Sequence, residues 1–127
     1  MRFIPTRIHG LLDYGMAIVL IISPWLFRFS DGGPKMWVPI ALGIAAIAYS
    51  LLTSYELGVV HLIPMPVHLG IDVVSGIVLA LSPWIFGFAD DVWLPHLILG
   101  LVEIGAGLTT QTTPLTDPSV DRRGFRA

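Results

Sequence analysis

Two histidine–aspartate pairs are the residues of this chain best suited to chemistry. His9 and Asp13 are four residues apart, and so are His68 and Asp72. On a helix, residues at that spacing share a face. An imidazole and a carboxylate so placed can fasten one helix to another by hydrogen bonds. Two such pairs brought together would also suit Zn²⁺, Mn²⁺ or Fe²⁺. Two facing histidines without the carboxylates would suit a b-type haem. Intramembrane carboxylates, finally, often line a proton or ion path. Glu103 is a fifth candidate, because it stands in the middle of an apolar run where an ionised carboxylate is costly unless paired or hydrated. The spacing alone leaves these possibilities open, and it leaves open whether the two pairs meet.

The pairs recur because the chain repeats itself. Residues 5–31 align without a gap onto residues 64–90 at a constant offset of 59, and 12 of the 27 positions are identical. Internal similarity of this kind marks a duplicated structural unit. The matches include Pro5, His9, Asp13, Ser23, Pro24, Trp25, Phe27, Phe29 and Asp31. Past the first copy's polar loop the offset falls to 56, where Trp37 and Pro39 match Trp93 and Pro95, and Leu52-Thr53 match Leu108-Thr109. Glu103 has no acidic counterpart: its equivalent is Ile47, or Ala46 under a one-residue shift, so it is read either as a protonated carboxyl hydrogen-bonded within the bundle or as a site gained by one copy. Repeat 1 covers about 5–57 and repeat 2 about 64–111, together one membrane domain over 1–111. A polar tail, with Pro114 and Pro118, follows from 112 to 127.

The elements that must position these groups are membrane helices. The chain is 54% hydrophobic and 13% charged. About a quarter of a soluble domain is charged. Apolar runs near 20 residues long fall at about 8–29, 36–57, 66–88 and 92–109. The first could be mistaken for a signal peptide, but its twin lies in mid-chain and no small-residue cleavage site follows it, so it is read as a retained helix. With four spans, both termini and the repeat linker share one side. That side holds Arg2, Arg7, Arg122, Arg123 and Arg126, whereas the other holds Arg28 and Lys35 with Asp31, Asp90 and Asp91. The positive-inside rule then places both termini in the cytoplasm. Two spans per repeat give both copies the same orientation, related by a pseudo-twofold axis along the membrane normal.

Each first helix is predicted to meet a break at Ser-Pro-Trp, since proline removes a backbone donor and crowds the preceding turn. Trp25, Trp37, Trp84 and Trp93 are predicted to form an aromatic belt at that end. Beyond each His/Asp pair the same face continues through Ala17 in copy one, and through Gly76 and Ala80 in copy two. Small residues there let helices approach closely. Ala41, Ala45 and Ala48, with Gly100, Gly105 and Gly107, are read as further close-packing faces, serving the bundle itself or an oligomer interface. His61 and His96 are read as interfacial.

The duplicated Ser23-Pro24-Trp25 and Ser82-Pro83-Trp84, each followed by Phe-x-Phe, resemble the SPW repeat family of small bacterial membrane proteins. The resemblance implies a small multi-pass protein of the bacterial inner membrane and carries over no chemistry. The expected fold is all-α, a four-helix membrane bundle of two tandem hairpins. The expected role is that of a non-enzymatic structural or interaction protein. The alternatives are a metal- or haem-binding protein using His9, Asp13, His68 and Asp72, and an oligomeric proton or ion conductor using Asp13, Asp72 and Glu103. The chain has no cysteine, no nucleotide-binding glycine motif, no H-E-x-x-H and no G-x-S-x-G, so no reaction and no cofactor is named by it. The expected partners are the lipid bilayer and a second copy or another membrane protein. A net charge of −2 gives no reason to expect nucleic acid.

Overall fold

A computed structural model describes residues 1–114, so most of the anticipated tail lies outside the described residues. Four helices make up the fold: α1 (Thr6–Leu26), α2 (Pro34–Leu51), α3 (Met65–Ile85) and α4 (Leu94–Thr109). Among the described residues there are no strands, only isolated bridges. α1, α2 and α3 are long and apolar enough to cross a membrane, and α4 is an apolar helix of 16 residues, about 24 Å at 1.5 Å per residue. Mid-helix residues such as Ile18, Ile44, Val74 and Leu101 are exposed. An apolar surface that continuous marks contact with lipid rather than water. The protein is a membrane four-helix bundle.

α2 stops at Leu51, short of the apolar run that continues to 57. The reason is local: Thr53 leaves the helix to bridge Ile63, and Tyr55 folds back into a small core with Met65 and Leu69.

The duplication is visible bond by bond. Ile63 N–H donates to Leu52 O at 2.8 Å and Ser54 N–H to Ile63 O at 2.8 Å. At the equivalent place Ile4 N–H donates to Thr109 O at 3.0 Å and Gln111 N–H to Ile4 O at 2.9 Å. The segment before each first helix is thus stitched to the end of the other repeat's second helix. Around the bundle the helices run α1, α2, α3, α4, with the tightest packing inside each hairpin and α1 diagonal to α3.

The hairpins close on glycine. A Cβ at Gly43 would lie 2.8 Å from Ala17 O, and one at Gly100 would lie 2.5 Å from Gly76 O. Helix axes that close leave no space for a side chain. Gly43 and Gly100 are 57 apart, as are the buried pairs Ala46 and Glu103, and Ser50 and Gly107. The buried register of the second helices is therefore 57, one residue beyond the match through the tryptophans and prolines. Glu103 stands where copy one has Ala46. In the same register Ala41, Ala45, Ala48 and Gly105 face outward and take no part in packing within the bundle.

Ser-Pro-Trp does not end the helix. α1 and α3 each continue two residues beyond the proline. Pro24 lacks the N–H that would bond Leu20 O one turn back. Ser23 Oγ supplies the missing donor at 2.8 Å, and Ser82 Oγ does the same for Leu79 O at 2.7 Å. Both serines are fully buried. The helix then closes with Phe29 N–H on Pro24 O and Phe88 N–H on Pro83 O, through residues with positive φ, Arg28 at 62° and Gly87 at 75°. This is the six-to-one closure of a Schellman end.

Candidate functional site

The N-terminal halves of α1 and α3 bring the two His/Asp pairs together inside the bundle. His9 Nε2 lies 2.9 Å from Asp13 Oδ1 and 2.8 Å from Asp72 Oδ2. His68 Nε2 lies 3.0 Å from Asp13 Oδ2 and 3.3 Å from Asp72 Oδ2. Each imidazole meets both carboxylates and each carboxylate meets both imidazoles. One ligating atom from each residue falls within 4.8 Å of every other. The histidines are at most 1% exposed, and the Asp13 and Asp72 side chains 8% and 6%.

The outward nitrogens fix the tautomers. Thr53 Oγ1 lies 2.6 Å from Tyr49 O, and a carbonyl can only accept, so the hydroxyl spends its one hydrogen there. Its contact with His68 Nδ1 at 2.7 Å is therefore an Nδ1–H donating to the hydroxyl oxygen. Thr110 does the same from the other repeat: it donates to Ala106 O at 2.7 Å and accepts from His9 Nδ1–H at 2.7 Å. In the neutral ring, both Nε2 lone pairs then point inward, toward carboxylate oxygens. Tyr49 Oη donates to Asp72 Oδ1 at 2.6 Å and Tyr55 Oη to Asp13 Oδ2 at 2.7 Å, orienting the carboxylates.

Two neutral imidazoles and two carboxylates carry a charge of −2 in a low-dielectric interior, which must be balanced. One divalent cation balances it, and so do two protons. One detail bears on these occupancies. His68 Nε2 is fully buried and forms no aligned hydrogen bond, although two carboxylate oxygens lie within 3.3 Å.

Thr53, Thr110, Tyr49 and Tyr55 were not among the residues singled out from sequence. The threonine pair was within reach, since the repeat matched Thr53 to Thr109, one residue short of its structural partner. The tyrosines have no counterpart in copy two, and no repeat signal could find them.

Glu103 is buried and does not join the four. It is in hydrogen-bond contact at 3.3 Å with Ser75 Oγ, which also lies 3.2 Å from Asp72 O, and it lines a cavity of about 260 Å³ that also touches His9, Asp13 and Asp72.

At the opposite end, His96 is buried rather than interfacial. Phe29 and Phe88 of the two Phe-x-Phe motifs clamp its ring, each with centroids at 4.9 Å, and its Nε2–H donates to Lys35 O at 2.9 Å. The four tryptophans of the predicted belt are all exposed at this end. Lys35 bridges Asp31 and Asp91, tying the two loops together, and its hydrogen bond holds the Asp31 carboxyl below the usual carboxylate range. His61 is exposed as anticipated.

A family model described as the SPW repeat domain matches residues 7–110. The chain belongs to the SPW repeat family. The match spans both copies of the serine–proline device and both His/Asp pairs of this SPW repeat protein. No curated protein and no solved structure matches it.

Proposed function

We propose that this SPW repeat protein binds a divalent transition-metal ion between its two repeats, with His9 Nε2, His68 Nε2, Asp13 and Asp72 as ligands. The observation that carries the reading is His68 Nε2, buried without an aligned hydrogen-bond partner among four donors that lie within 4.8 Å of one another.

The chemistry of the donor set supports it. Two imidazoles and two carboxylates suit Zn²⁺, Mn²⁺ or Fe²⁺. A tetrahedral ion with bonds near 2.0–2.1 Å has ligand–ligand edges of about 3.3 Å. The imidazole–carboxylate contacts here run from 2.8 to 3.3 Å, those to Asp13 on its two different oxygens, and one donor atom from each residue lies within 4.8 Å of every other. The Nδ1–H to threonine contacts are the kind of outer-shell bond that orients metal-binding histidines. The donor set favours a bare ion over haem, because both carboxylates stand between the two imidazoles, whose rings are 5.5 Å apart and inclined at 78°.

The role is non-enzymatic in this reading, and the ion acts as a clasp between repeats. The protein would sit in the bacterial inner membrane with both termini cytoplasmic, a placement supported by Arg2 and Arg7 at the terminal end and by the exposed tryptophans at the other. A second reading, a clasp held by two protons and used for packing alone, is favoured by one observation: each carboxylate already accepts from a tyrosine and lies within reach of both histidines.

Elemental analysis of detergent-purified protein separates the two. About one transition-metal ion per chain is expected in the wild type and none in Asp13→Asn/Asp72→Asn. A folded wild type that is metal-free and takes up no Zn²⁺, Mn²⁺ or Fe²⁺ on titration would leave only the proton-held clasp.

A further inference from the structure

The two seams between the hairpins are equivalent by the repeat but not alike. The α2–α3 seam is a groove lined by Leu42, Gly70, Ile71, Val74, Ser75 and Val78, among others. Shifted by the repeat offset, these become Leu99, Leu11, Leu12, Gly15, Met16 and Val19, which line the 260 Å³ cavity at the α1–α4 seam. Only the second seam ends on a carboxylate of its own. Glu103 lines that cavity together with its repeat equivalent, Ala46.

Three facts bear on what the cavity takes. Its walls are apolar, and the rim residues Leu11, Leu12 and Val102 are exposed on the lipid-facing surface, so it opens sideways into the bilayer. At its inner end stand Glu103 and Tyr49 together with His9, Asp13 and Asp72 of the cluster, which line it too. Among the described residues no ion pair joins Glu103, and the basic residues of the helices, Arg7 and Lys35, lie in first turns. The cluster is charge-balanced whether an ion or two protons occupy it. Glu103 is thus a carboxyl group whose ionised form has no counter-charge among the described residues, at the end of an apolar chamber.

We propose that this cavity binds a small amphiphilic monocation that enters from the lipid phase, its apolar body between α1 and α4 and its ammonium group against Glu103. A cation with an apolar body matches both the walls and the end, and the volume, near the lower limit for ligand pockets, restricts it to a small molecule. An ammonium–carboxylate pair gains most where water is excluded. The proposal does not depend on a metal in the neighbouring cluster.

The probes are benzyltrimethylammonium, whose charge cannot be lost by deprotonation, and its uncharged carbon isostere neopentylbenzene. Binding is read by calorimetry on protein in lipid nanodiscs. The wild type is expected to bind the cation at least tenfold more tightly than the isostere, and Glu103→Gln to bind it at least tenfold more weakly than the wild type. A second variant tests the place rather than the charge. Gly15 lines the cavity and a Cβ there meets nothing within 4 Å, so Gly15→Leu is expected to fold and to occupy the chamber. It is expected to lose cation binding while keeping the metal content of the wild type. Metal content is measured on every sample, so failure of the metal reading shows separately. No binding to the wild type, equal binding of the two probes, or undiminished binding in Glu103→Gln or Gly15→Leu would each overturn the proposal.

Discussion

At the scale of single residues, each histidine is held by a group from the other repeat. His9 of copy one leans on Thr110 of copy two, and His68 of copy two leans on Thr53 of copy one. Removing either hydroxyl strands a buried N–H and frees the ring to turn. Thr53→Val and Thr110→Val are therefore each expected to weaken metal binding by roughly 10–100-fold, the usual effect of losing an outer-shell partner. Competition with a chromogenic chelator measures this, and equal losses at the two sites would reflect their equivalence. The sequence exposed the four ligands because histidine and aspartate are rare in apolar helices and recurred at one offset. It did not expose Tyr49 and Tyr55, whose hydroxyls matter only through where α2 and the linker carry them. His96 misled for a related reason: its place near a helix start suggested solvent, but the Phe-x-Phe residues that bury it lie in two other segments.

At the scale of the elements, the serine of Ser-Pro-Trp acts as a substitute amide donor. A double-mutant cycle tests this. Ser23→Ala leaves Leu20 O unsatisfied and is expected to cost about 1–3 kcal/mol, the penalty for a buried polar group without its partner. In a Pro24→Ala background the restored backbone N–H reaches the same carbonyl, and Ser23→Ala is expected to cost little. Unfolding in detergent monitored by circular dichroism reads the coupling. Additive costs would contradict the role. Because Ser82 and Pro83 repeat the geometry, Pro24→Ala and Pro83→Ala are expected to have similar effects. The ends that follow are not equal, for copy one places Arg28 where copy two places Gly87, both at positive φ. Gly87→Ala is expected to destabilise by about 1–2 kcal/mol, the cost of left-handed backbone for a residue with a Cβ. In sequence, proline read as a break, since its missing donor is a local property and the compensating hydroxyl is a matter of rotamer. The same limit explains the register of the second helices, where conspicuous tryptophans and prolines matched at 56 while the buried glycines follow 57.

At the scale of the whole molecule, the two hairpins are each tightly closed and meet one another more loosely. Their main polar connection is the His/Asp cluster, reinforced by stitching of each repeat's entry to the other's exit. The all-α membrane bundle and the duplication were legible from composition and self-similarity, because both are properties of long stretches. The ring order and the meeting of α1 with α3 across the centre were not, because a repeat fixes equivalence and not adjacency. If an ion joins the halves, it stabilises the folded bundle by mass action, about 2.7 kcal/mol at a hundred times its dissociation constant. Added Zn²⁺ is expected to raise the unfolding temperature of the wild type and to leave that of Asp13→Asn/Asp72→Asn unchanged.

The most direct test is zinc K-edge X-ray absorption on protein purified, loaded with one equivalent of Zn²⁺ and washed. The account requires stoichiometric retained zinc with a four-coordinate shell near 2.0–2.1 Å and the multiple-scattering signature of two imidazoles. Zinc that washes away, or a shell of oxygen without imidazole, would contradict a metal site at His9, Asp13, His68 and Asp72.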